Sequence, residues 1–316
     1  MPRLFSLYRD RLDQANTMNL QALANTPFSV GTALFLGRIF PSPLGHWLAD
    51  RIATTLASRP GSGLVQTIRH NQQGIFGGHL SPAELDQAVA AVLRNDLRSI
   101  YDYYHLANQP EKLLKRVTFS SAALAAMQRT QQNLPTVFAC AHLGNFDLMG
   151  RALALNHYPF LVLSYPNPNQ GYKMQNWLRK RFGLEVSPMS LESLRVGKKR
   201  LKSGGSVLTG LDRPLASPGL QKYQPRFFGK PANLPVAYIR LAMDTGAPVI
   251  VIACTVQPDG AYHLHASDPI QMNSSGDLHA DIIHNAEAVL SFAEGLVRQY
   301  HDQWLMFFPV WEGDEE

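Results

Sequence analysis

The sequence predicts an α/β fold, with a mostly parallel central sheet flanked by helices and preceded by an N-terminal helical segment. From residue 135 onward, short apolar runs alternate with helical patterns, which is typical of strands joined by crossover helices. Before that point, residues 19–132 show almost only helical spacing of apolar residues. A chain of 316 residues, 45% hydrophobic and 17% charged, can bury a sizeable core. We expect one integrated domain, with a helical segment at 1–132 and an α/β region at 133–316.

The N-terminal segment contains three predicted helices, at 64–77, 81–107 and 120–130. The second helix has a clear start signal. Ser81 and Glu84 form a capping box, and Pro82 occupies the first helical position, where a missing N–H costs nothing.

An apolar run at 28–40 precedes these helices. It contains Arg38 and is shorter than the roughly 20 apolar residues that span a bilayer. The run therefore predicts either a buried amphipathic helix or a helix that lies in the membrane interface. The charged start of the chain, MPRLFSLYRDRLDQAN, lacks an apolar core, so we expect no secretory signal peptide.

The α/β region alternates strands and helices in a regular way. Strands are predicted at 136–141, 160–165, 184–188, 206–212 and 247–256, and helices at 147–155, 171–183, 190–205 and 235–246. The run at 261–267 is predicted to pair antiparallel with the strand before it, and 281–307 to form one or two helices. Catalytic groups in such folds gather at the carboxyl ends of the strands.

Charge is distributed unevenly along the chain. The net charge is +5, yet residues 171–230 alone carry 13 Lys or Arg and three acidic residues. Such a block indicates an anionic partner, such as phosphate, anionic lipid, an acidic carrier protein or nucleic acid, although some of these charges only solvate helix faces. Cys140 and Cys254 both lie in apolar strands, which indicates free thiols and a reducing compartment.

The hexapeptide HLGNFD at 142–147 is the main candidate for chemistry. A histidine and a carboxylate five residues apart share neither a helix face nor a strand face, so the chain must turn between them. His142 would end the first strand, Gly144 would allow a tight bend and Asn145 would cap the next helix. Asp147 could then fold back onto the imidazole and leave its other nitrogen free as a base. The plain alternative is a helix-start charge beside a strand-end histidine.

Other catalytic constellations have little support. The chain has no G-x-S-x-G elbow, P-loop or G-x-G-x-x-G. Cys140 lies two residues before His142, but its apolar setting suits an inert thiol. His263 and His265 share a strand face without a third ligand, so no metal site is expected. The remaining option is that the histidine is a base that activates a hydroxyl group of the substrate.

Several blocks of the sequence resemble one family. AHLGNFDLMG is similar to the His-x4-Asp/Glu motif of the glycerolipid acyltransferase superfamily. It resembles most closely the lipid A late (lauroyl and myristoyl) acyltransferases and the related phosphatidylinositol mannoside acyltransferases. The resemblance extends in order from about residue 30 to 312, through HNQQGIFGGHLSPAELDQAVAAVLRN, WLRKRFGLEVSP, LKSGGSVLTGLDRP, FFGKPANLPVAYIRLAMDTGAPVIVI and DQWLMFFPVW.

This resemblance implies acyl transfer from a thioester of acyl carrier protein or coenzyme A to a hydroxyl of a membrane glycolipid or phospholipid. No permanently bound cofactor is implied. His142 would be the general base, and Asp147 would orient it and stabilise the imidazolium. Gly144 and Asn145 are candidate donors to the tetrahedral oxyanion, with a plain helix cap as the alternative for Asn145. Asp212, at the end of another strand, would be structural or would hold and orient one of the arginines of the basic block.

The resemblance also gives the basic block a use. Four arginines would bind phosphate on the acceptor or on the carrier's phosphopantetheine, because guanidinium groups suit bidentate phosphate contacts. These are Arg179, Arg181, Arg213 and Arg226. In the mannoside-acylating relatives a carboxylate stands three residues before the Phe pair, whereas this chain has Gln224 there. Their acceptor site is therefore not carried over directly.

Many of these relatives carry a clear membrane-anchoring helix. Because the run at 28–40 is short, we expect a peripheral protein at the cytoplasmic face of a bacterial inner membrane. An apolar helix and the basic surface would act together on anionic lipid.

Three alternatives stand beside this interpretation. A catalytically silent lipid-binding protein would keep the fold without the chemistry. A nucleic-acid binder would use the basic block, but Phe227 and Phe228 alone make a poor stacking platform, so no nucleic acid is expected. An acyl thioesterase would use water in place of the acceptor hydroxyl.

Overall fold

The computed structural model describes residues 40–166, 168, 170–215 and 222–311, so the predicted apolar run at 28–40 lies outside the described residues except for Phe40. Five helices of the N-terminal part are α1 Ser42–Ala57, α2 Gly63–Ile75, α3 Pro82–Leu106, α4 Pro110–Leu114 and α5 Ser121–Gln131. Among the described residues, no helix combines the length and the apolar character needed to cross a bilayer.

Local signals explain how the N-terminal helices start and pack. The predicted capping box is confirmed, since Ser81 Oγ accepts from the Glu84 N–H and the Glu84 carboxylate accepts from the Ser81 N–H. Helix α1 packs along α3 through Gly45, Ala49 and Ala53 on its buried face. These small side chains allow the two helices to approach closely.

The prediction of a mostly helical stretch at 19–132 is accompanied by one short strand that the sequence pattern does not show. Val117–Phe119 forms β1, between α4 and α5, and pairs in parallel with a strand late in the chain. Three residues are too few for a periodic pattern, so only the tertiary pairing defines this strand.

The predicted α/β region is confirmed. Its strands are β2 Thr136–Cys140, β3 Phe160–Ser164, β4 Glu185–Pro188, β5 Ser206–Gly210, β6 Arg226–Phe227, β7 Lys230–Pro231, β8 Val249–Val256 and β9 Tyr262–Ala266. Its helices are α6 Phe146–Leu155, α7 Gln170–Arg181, α8 Leu191–Lys202, α9 Ala237–Thr245 and α10 Leu278–Gln299, followed by a 3₁₀ turn at His301–Gln303.

The seven-stranded sheet has the order β1-β9-β8-β2-β5-β3-β4, and β6 pairs with β7 as a separate hairpin. Strands β8, β2, β5, β3 and β4 are mutually parallel, and β9 runs antiparallel to β8 as predicted. Because the parallel strands end at one edge, groups that follow β2 and β5 are brought side by side there.

Both faces of the sheet are covered by helices. On β2, Val137 and Ala139 point to the side that packs against α9 and α10, whereas Phe138 points to the side of α5 and α6. Strands buried on both faces read as continuous apolar runs, which is why β2 and β8 are easily recognised in the sequence.

The segment after α10 returns to the carboxyl edge of the sheet. Asn71 of α2 holds it, because its side-chain amide donates to the carbonyls of Met306 and Phe308. Trp304 is 1% exposed and bridges to Leu143 in the turn after β2. The chain's last described residues therefore form one wall of the region where β2 and β5 end.

Candidate active site

His142 lies two residues past the end of β2, and its imidazole is held by a residue from the neighbouring strand. Nδ1 of His142 is 2.5 Å from Oδ1 of Asp212, and the His142 backbone N–H donates to Oδ2 of the same carboxylate at 2.9 Å. The strand register explains this pairing. Cys140 lies opposite Gly210, so positions 142 and 212 come together just beyond the ends of β2 and β5.

Asp212 is completely buried and accepts a third hydrogen bond from Nε1 of Trp304, at 2.8 Å. Burial alone would raise the pKa of this carboxyl group. The charge and hydrogen bonds of His142, with the bond from Trp304, outweigh burial and lower the pKa. Asp212 is therefore an ionised acceptor, and an Nδ1–H of His142 that donates to it would leave the lone pair of Nε2 facing away from the carboxylate.

The imidazole is also positioned by its apolar neighbours. Phe146 meets the ring edge-on, with the centroids 4.9 Å apart. Gly210 faces it from β5, and a Cβ atom at this position would lie 2.8 Å from Cε1 of His142. A side chain at 210 would therefore displace the ring from Asp212.

Asp147, which the sequence pattern places beside the imidazole, is directed elsewhere. It lies in the first turn of α6 and accepts from Nε and Nη2 of Arg179, at 2.6 and 3.2 Å. Arg179 is buried and also donates to Asn176. Burial would lower the pKa of this guanidinium, but the effects of Asp147 and Tyr172 outweigh burial and raise the pKa, so Arg179 stays charged. The orienting position on His142 belongs to Asp212.

The two expected oxyanion donors are engaged in holding the turn. The Gly144 N–H donates to the carbonyl of Gln303 at 2.9 Å. Asn145 caps α6 through a bond from the Leu148 N–H, and its amide donates to the carbonyl of Ser99. Gly144 is required for the bend, because its φ is +51° and a Cβ would lie 2.7 Å from the carbonyl oxygen of Cys254.

An apolar pocket opens beside His142 and runs between the sheet and α6. At its mouth are His142, Phe146, Asp147, Tyr165, Tyr172 and Arg213. Farther in it is lined by Met149, Gly150, Leu153, Phe160, Val162, Leu184, Leu208, Ile252 and Leu264. The walls are hydrocarbon, so the pocket suits an apolar chain whose polar end stays near the imidazole.

Both cysteines line this pocket, and neither is a thiolate. Burial raises the pKa of Cys140 strongly and that of Cys254 to about 12. A buried, protonated thiol is a poor nucleophile, which agrees with the expectation of inert free thiols.

The four arginines expected to bind phosphate are not gathered in one place. Only Arg179 and Arg213 line the pocket, and Arg179 is paired with Asp147. Arg181 lies on the outer side of α7, stacked over Trp177, and Arg226 is exposed in the β6–β7 hairpin, where it donates to the Gly229 carbonyl.

Arg213 has a setting of its own. Its guanidinium carbon lies 4.2 Å from the ring centroid of Tyr165, 4.3 Å from Phe308 and 5.0 Å from Tyr172. Its Nε is buried without a hydrogen-bond partner, and no carboxylate lies within 4.0 Å of it among the described residues. Burial lowers its pKa from the usual arginine value. A cation held by aromatic rings at the pocket mouth can receive an anionic group.

His263 and His265 are explained by local contacts. Their rings lie edge-on, 4.6 Å apart, on β9. His263 Nδ1 pairs with Thr118 and His265 Nε2 with Thr255. Burial lowers the pKa of His265 to about 4, so His265 is neutral near pH 7.

The aromatic side chains of the site were not predicted from the sequence. Trp304 donates to Asp212, and Tyr165 and Phe308 hold Arg213. The only sequence signal was their position, because Tyr165 follows β3 directly and Trp304 lies in the QW segment that closes the resemblance. Side chains that follow parallel strands are the ones to test in such folds.

A histidine paired with a buried carboxylate, beside an apolar pocket in a doubly covered α/β sheet, is an arrangement that can take a proton from a hydroxyl next to an apolar chain. The family described as bacterial lipid A biosynthesis acyltransferase matches residues 19–312, and the chain belongs to that family.

Curated relatives carry a related name. A phosphatidylinositol mannoside acyltransferase of Mycobacterium tuberculosis (strain ATCC 25618 / H37Rv) is 28% identical over 214 residues, which cover 66% of this chain and 63% of that protein. The protein of the same name from Mycolicibacterium smegmatis is 27% identical over 182 residues, 56% of this chain and 57% of the relative. The matched part thus spans less than two thirds of the length of these relatives.

Proposed function

We propose that this protein is an O-acyltransferase that moves a fatty acyl chain from a thioester donor to a hydroxyl of a membrane glycolipid or phospholipid. The observation that carries the proposal is the His142–Asp212 pair at the mouth of an apolar pocket. Family membership supports the reaction class.

The proposed reaction is a direct displacement. Nε2 of His142 takes the proton of the acceptor hydroxyl as its oxygen attacks the thioester carbonyl. The imidazolium that forms is stabilised by the ionised, buried Asp212. The tetrahedral intermediate then collapses, the carbon–sulfur bond breaks, and the imidazolium returns its proton to the leaving thiolate. An ester and a free thiol result, and no acyl-enzyme forms.

Asp147 has a positioning role in this proposal. Its pair with Arg179 joins the start of α6 to α7, and both residues line the pocket. The pair would keep Phe146 against the imidazole and hold the mouth open. It would therefore affect the rate through the position of His142 rather than through proton transfer.

Arg213 is the proposed contact for phosphate. It is the pocket arginine without a carboxylate partner among the described residues, and it lies on the same rim as His142. The phosphate belongs either to the acceptor head group or to the phosphopantetheine arm of the donor. Arg179, Arg181 and Arg226 are less suited, because the first is paired and the other two lie outside the pocket lining.

The acceptor and the location are part of the same proposal. The names of these relatives favour a phosphatidylinositol mannoside-like glycolipid, and the family description favours a lipid A precursor. Both acceptors are membrane lipids whose hydroxyl is acylated. A peripheral site at the cytoplasmic face of a bacterial inner membrane gives access to such an acceptor and to acyl carrier protein or coenzyme A.

The test is acyl transfer with purified full-length protein. Acyl carrier protein and coenzyme A, each carrying a labelled acyl chain as a thioester, are supplied with a total lipid extract from the source organism. Products are followed by mass spectrometry. His142→Ala runs alongside, with its fold checked by circular dichroism.

We expect a new acylated lipid that disappears in His142→Ala. Free fatty acid alone, lost in the variant, would replace the proposal with thioester hydrolysis. A product that persists in His142→Ala would remove the histidine from the mechanism, and no His142-dependent product would favour a catalytically silent lipid-binding protein.

A further inference from the structure

Two tryptophans on the surface share an unusual local arrangement. Trp47 on α1 and Trp177 on α7 are 54% and 48% exposed. In each case the arginine four residues later lies over the ring, with Arg51 5.5 Å from the Trp47 centroid and Arg181 5.4 Å from that of Trp177. The other two tryptophans of the chain are buried. Large aromatic side chains left on the surface call for a partner.

Trp47 belongs to an apolar face of α1. Leu44, Leu48 and Ile52 are also 43–52% exposed, at the spacing of one helix face. The opposite face packs on α3 through its small residues. Helix α1 therefore packs on α3 with one face and exposes four large apolar side chains, with Arg51 among them, on the other.

Trp177 is surrounded by positive charge. Helix α7 contains no acidic residue, and Lys173, Lys180 and Arg181 are all exposed around Trp177. None of these three cations has a carboxylate within 4.0 Å in the part of the chain that the structure describes. Unpaired cations around an exposed indole complement a surface that is negative outside and apolar beneath.

Helix α7 borders the apolar pocket through Tyr172 and Arg179, and α1 lies close to α7. The inner side of α7 carries Arg179, which holds Asp147 at the pocket mouth. The C-terminal end of α3 joins α1 to α7, because the Tyr101 hydroxyl donates to the Phe40 carbonyl just before α1 and Ala107 packs with Leu178 of α7. The C-terminal half of α3 contacts the start of α6, where Ser99 accepts from Asn145.

We propose that the face of α1 with Trp47 and the outer face of α7 with Trp177 together bind an anionic lipid bilayer and set the pocket mouth at its surface. The inference deepens the proposed function, because it names the surface through which a lipid acceptor would reach His142. An acidic carrier protein fits less well, since it would complement the cations of α7 but leave the long apolar face of α1 uncovered. Two weak sites acting together are needed for stable attachment.

Vesicle binding of the full chain tests this proposal. Binding is measured by sedimentation with vesicles of phosphatidylcholine alone and of phosphatidylcholine mixed with phosphatidylglycerol. We expect binding to the anionic vesicles that weakens with salt. Trp47→Ala and Trp177→Ala should each reduce the affinity by about tenfold, and the double variant should abolish binding. Phe292→Ala, an exposed aromatic of α10, is the matched control and should bind normally.

A second measurement places the indoles directly. Brominated lipids quench tryptophans that enter the bilayer. The native protein should lose fluorescence on binding, while a Trp47→Phe/Trp177→Phe variant, which retains only buried Trp304 and Trp311, should show little quenching. Lys173→Gln/Lys180→Gln should bind anionic vesicles more weakly without changing the binding to neutral vesicles.

These results separate the inference from the proposed chemistry. Acyl transfer to a detergent-dispersed acceptor should be unchanged in the Trp47→Ala/Trp177→Ala variant, while transfer to the same acceptor in anionic vesicles should fall with binding. Normal vesicle binding by that variant would overturn the inference whatever the enzyme activity. The inference would also be overturned if the Trp47→Ala/Trp177→Ala variant lost affinity only for an acidic carrier protein and still bound vesicles normally.

Discussion

Asp147 lines the apolar pocket itself, whereas Asp212 lies behind the imidazole that lines it, and the surroundings of the two carboxylates differ in ways that separate their contacts. The side chain of Asp212 is 0% exposed and that of Asp147 is 24% exposed. Asp212 faces a titratable imidazole and receives a bond from an indole, whereas Asp147 faces a permanently charged guanidinium. The carboxylate of the local motif, Asp147, therefore pairs with an arginine that lines the pocket. The carboxylate that binds the imidazole, Asp212, lies 65 residues later.

The largest expected effect is on Asp212. Asp212→Asn removes the charge that stabilises the imidazolium and admits the wrong histidine tautomer. The rate constant kcat should therefore fall by about 10³- to 10⁴-fold, measured by acyl transfer at saturating donor. Circular dichroism and thermal unfolding check that the buried site still folds. A variant with nearly native kcat would give the orienting role to another group.

Asp147→Asn should act mainly on stability. It leaves Arg179 buried with a weakened partner, so the free energy of unfolding should fall by about 2–3 kcal/mol, measured by urea denaturation. Its loss in kcat should be far smaller than that of Asp212→Asn. Replacing Arg179 by Met in the Asp147→Asn background removes the uncompensated charge and should recover part of the lost stability. A kcat loss equal to that of Asp212→Asn would erase the distinction between the two carboxylates.

Gly210→Ala should disturb the His142–Asp212 pair and leave the Asp147–Arg179 pair unchanged. The added Cβ would lie 2.8 Å from Cε1 of His142, so the ring must shift against Asp212. We expect kcat to fall by about tenfold or more, since small misplacements of a catalytic group are costly. The melting temperature should change little, because the Asp147–Arg179 pair is untouched.

Gly295→Ala is the matched control for that substitution. Gly295 lies within α10, and a Cβ there would meet nothing within 4 Å. This variant should keep full activity and gain about 0.5–1 kcal/mol of stability, because alanine is the better helix former. Equal activity of the two alanine variants would contradict a tight fit of the imidazole against β5.

The contrast between the two carboxylates also shows what the sequence reveals. The strand, turn and helix around HLGNFD follow from a short apolar run, a glycine and an asparagine cap, all of them local signals. The partner of His142 depends on β5 lying next to β2, which no local pattern specifies. The sequence marks Asp212 as a strand-end carboxylate, but the local spacing pairs the imidazole of His142 with Asp147. Strand β1 and the contact of Trp304 depend in the same way on tertiary pairing.

Lowering the pH should give the smallest of these effects, a difference in stability between the native protein and Asp212→Asn. The folded-state pKa of Asp212 lies below the value of about 3.9 that an aspartate has in an unfolded chain. Its ionised form therefore contributes stability that is fully present above about pH 4 and is lost as pH falls through the lower, folded-state pKa. The unfolding free energy of the native protein, measured between about pH 5 and 2, should decrease more steeply than that of Asp212→Asn, which has no carboxyl group to protonate. Other carboxylates with lowered pKa values, such as Asp50 and Asp244, contribute equally to both curves. The difference between the two slopes thus isolates Asp212, and parallel curves would mean that its charge adds no acid-sensitive stability to the site.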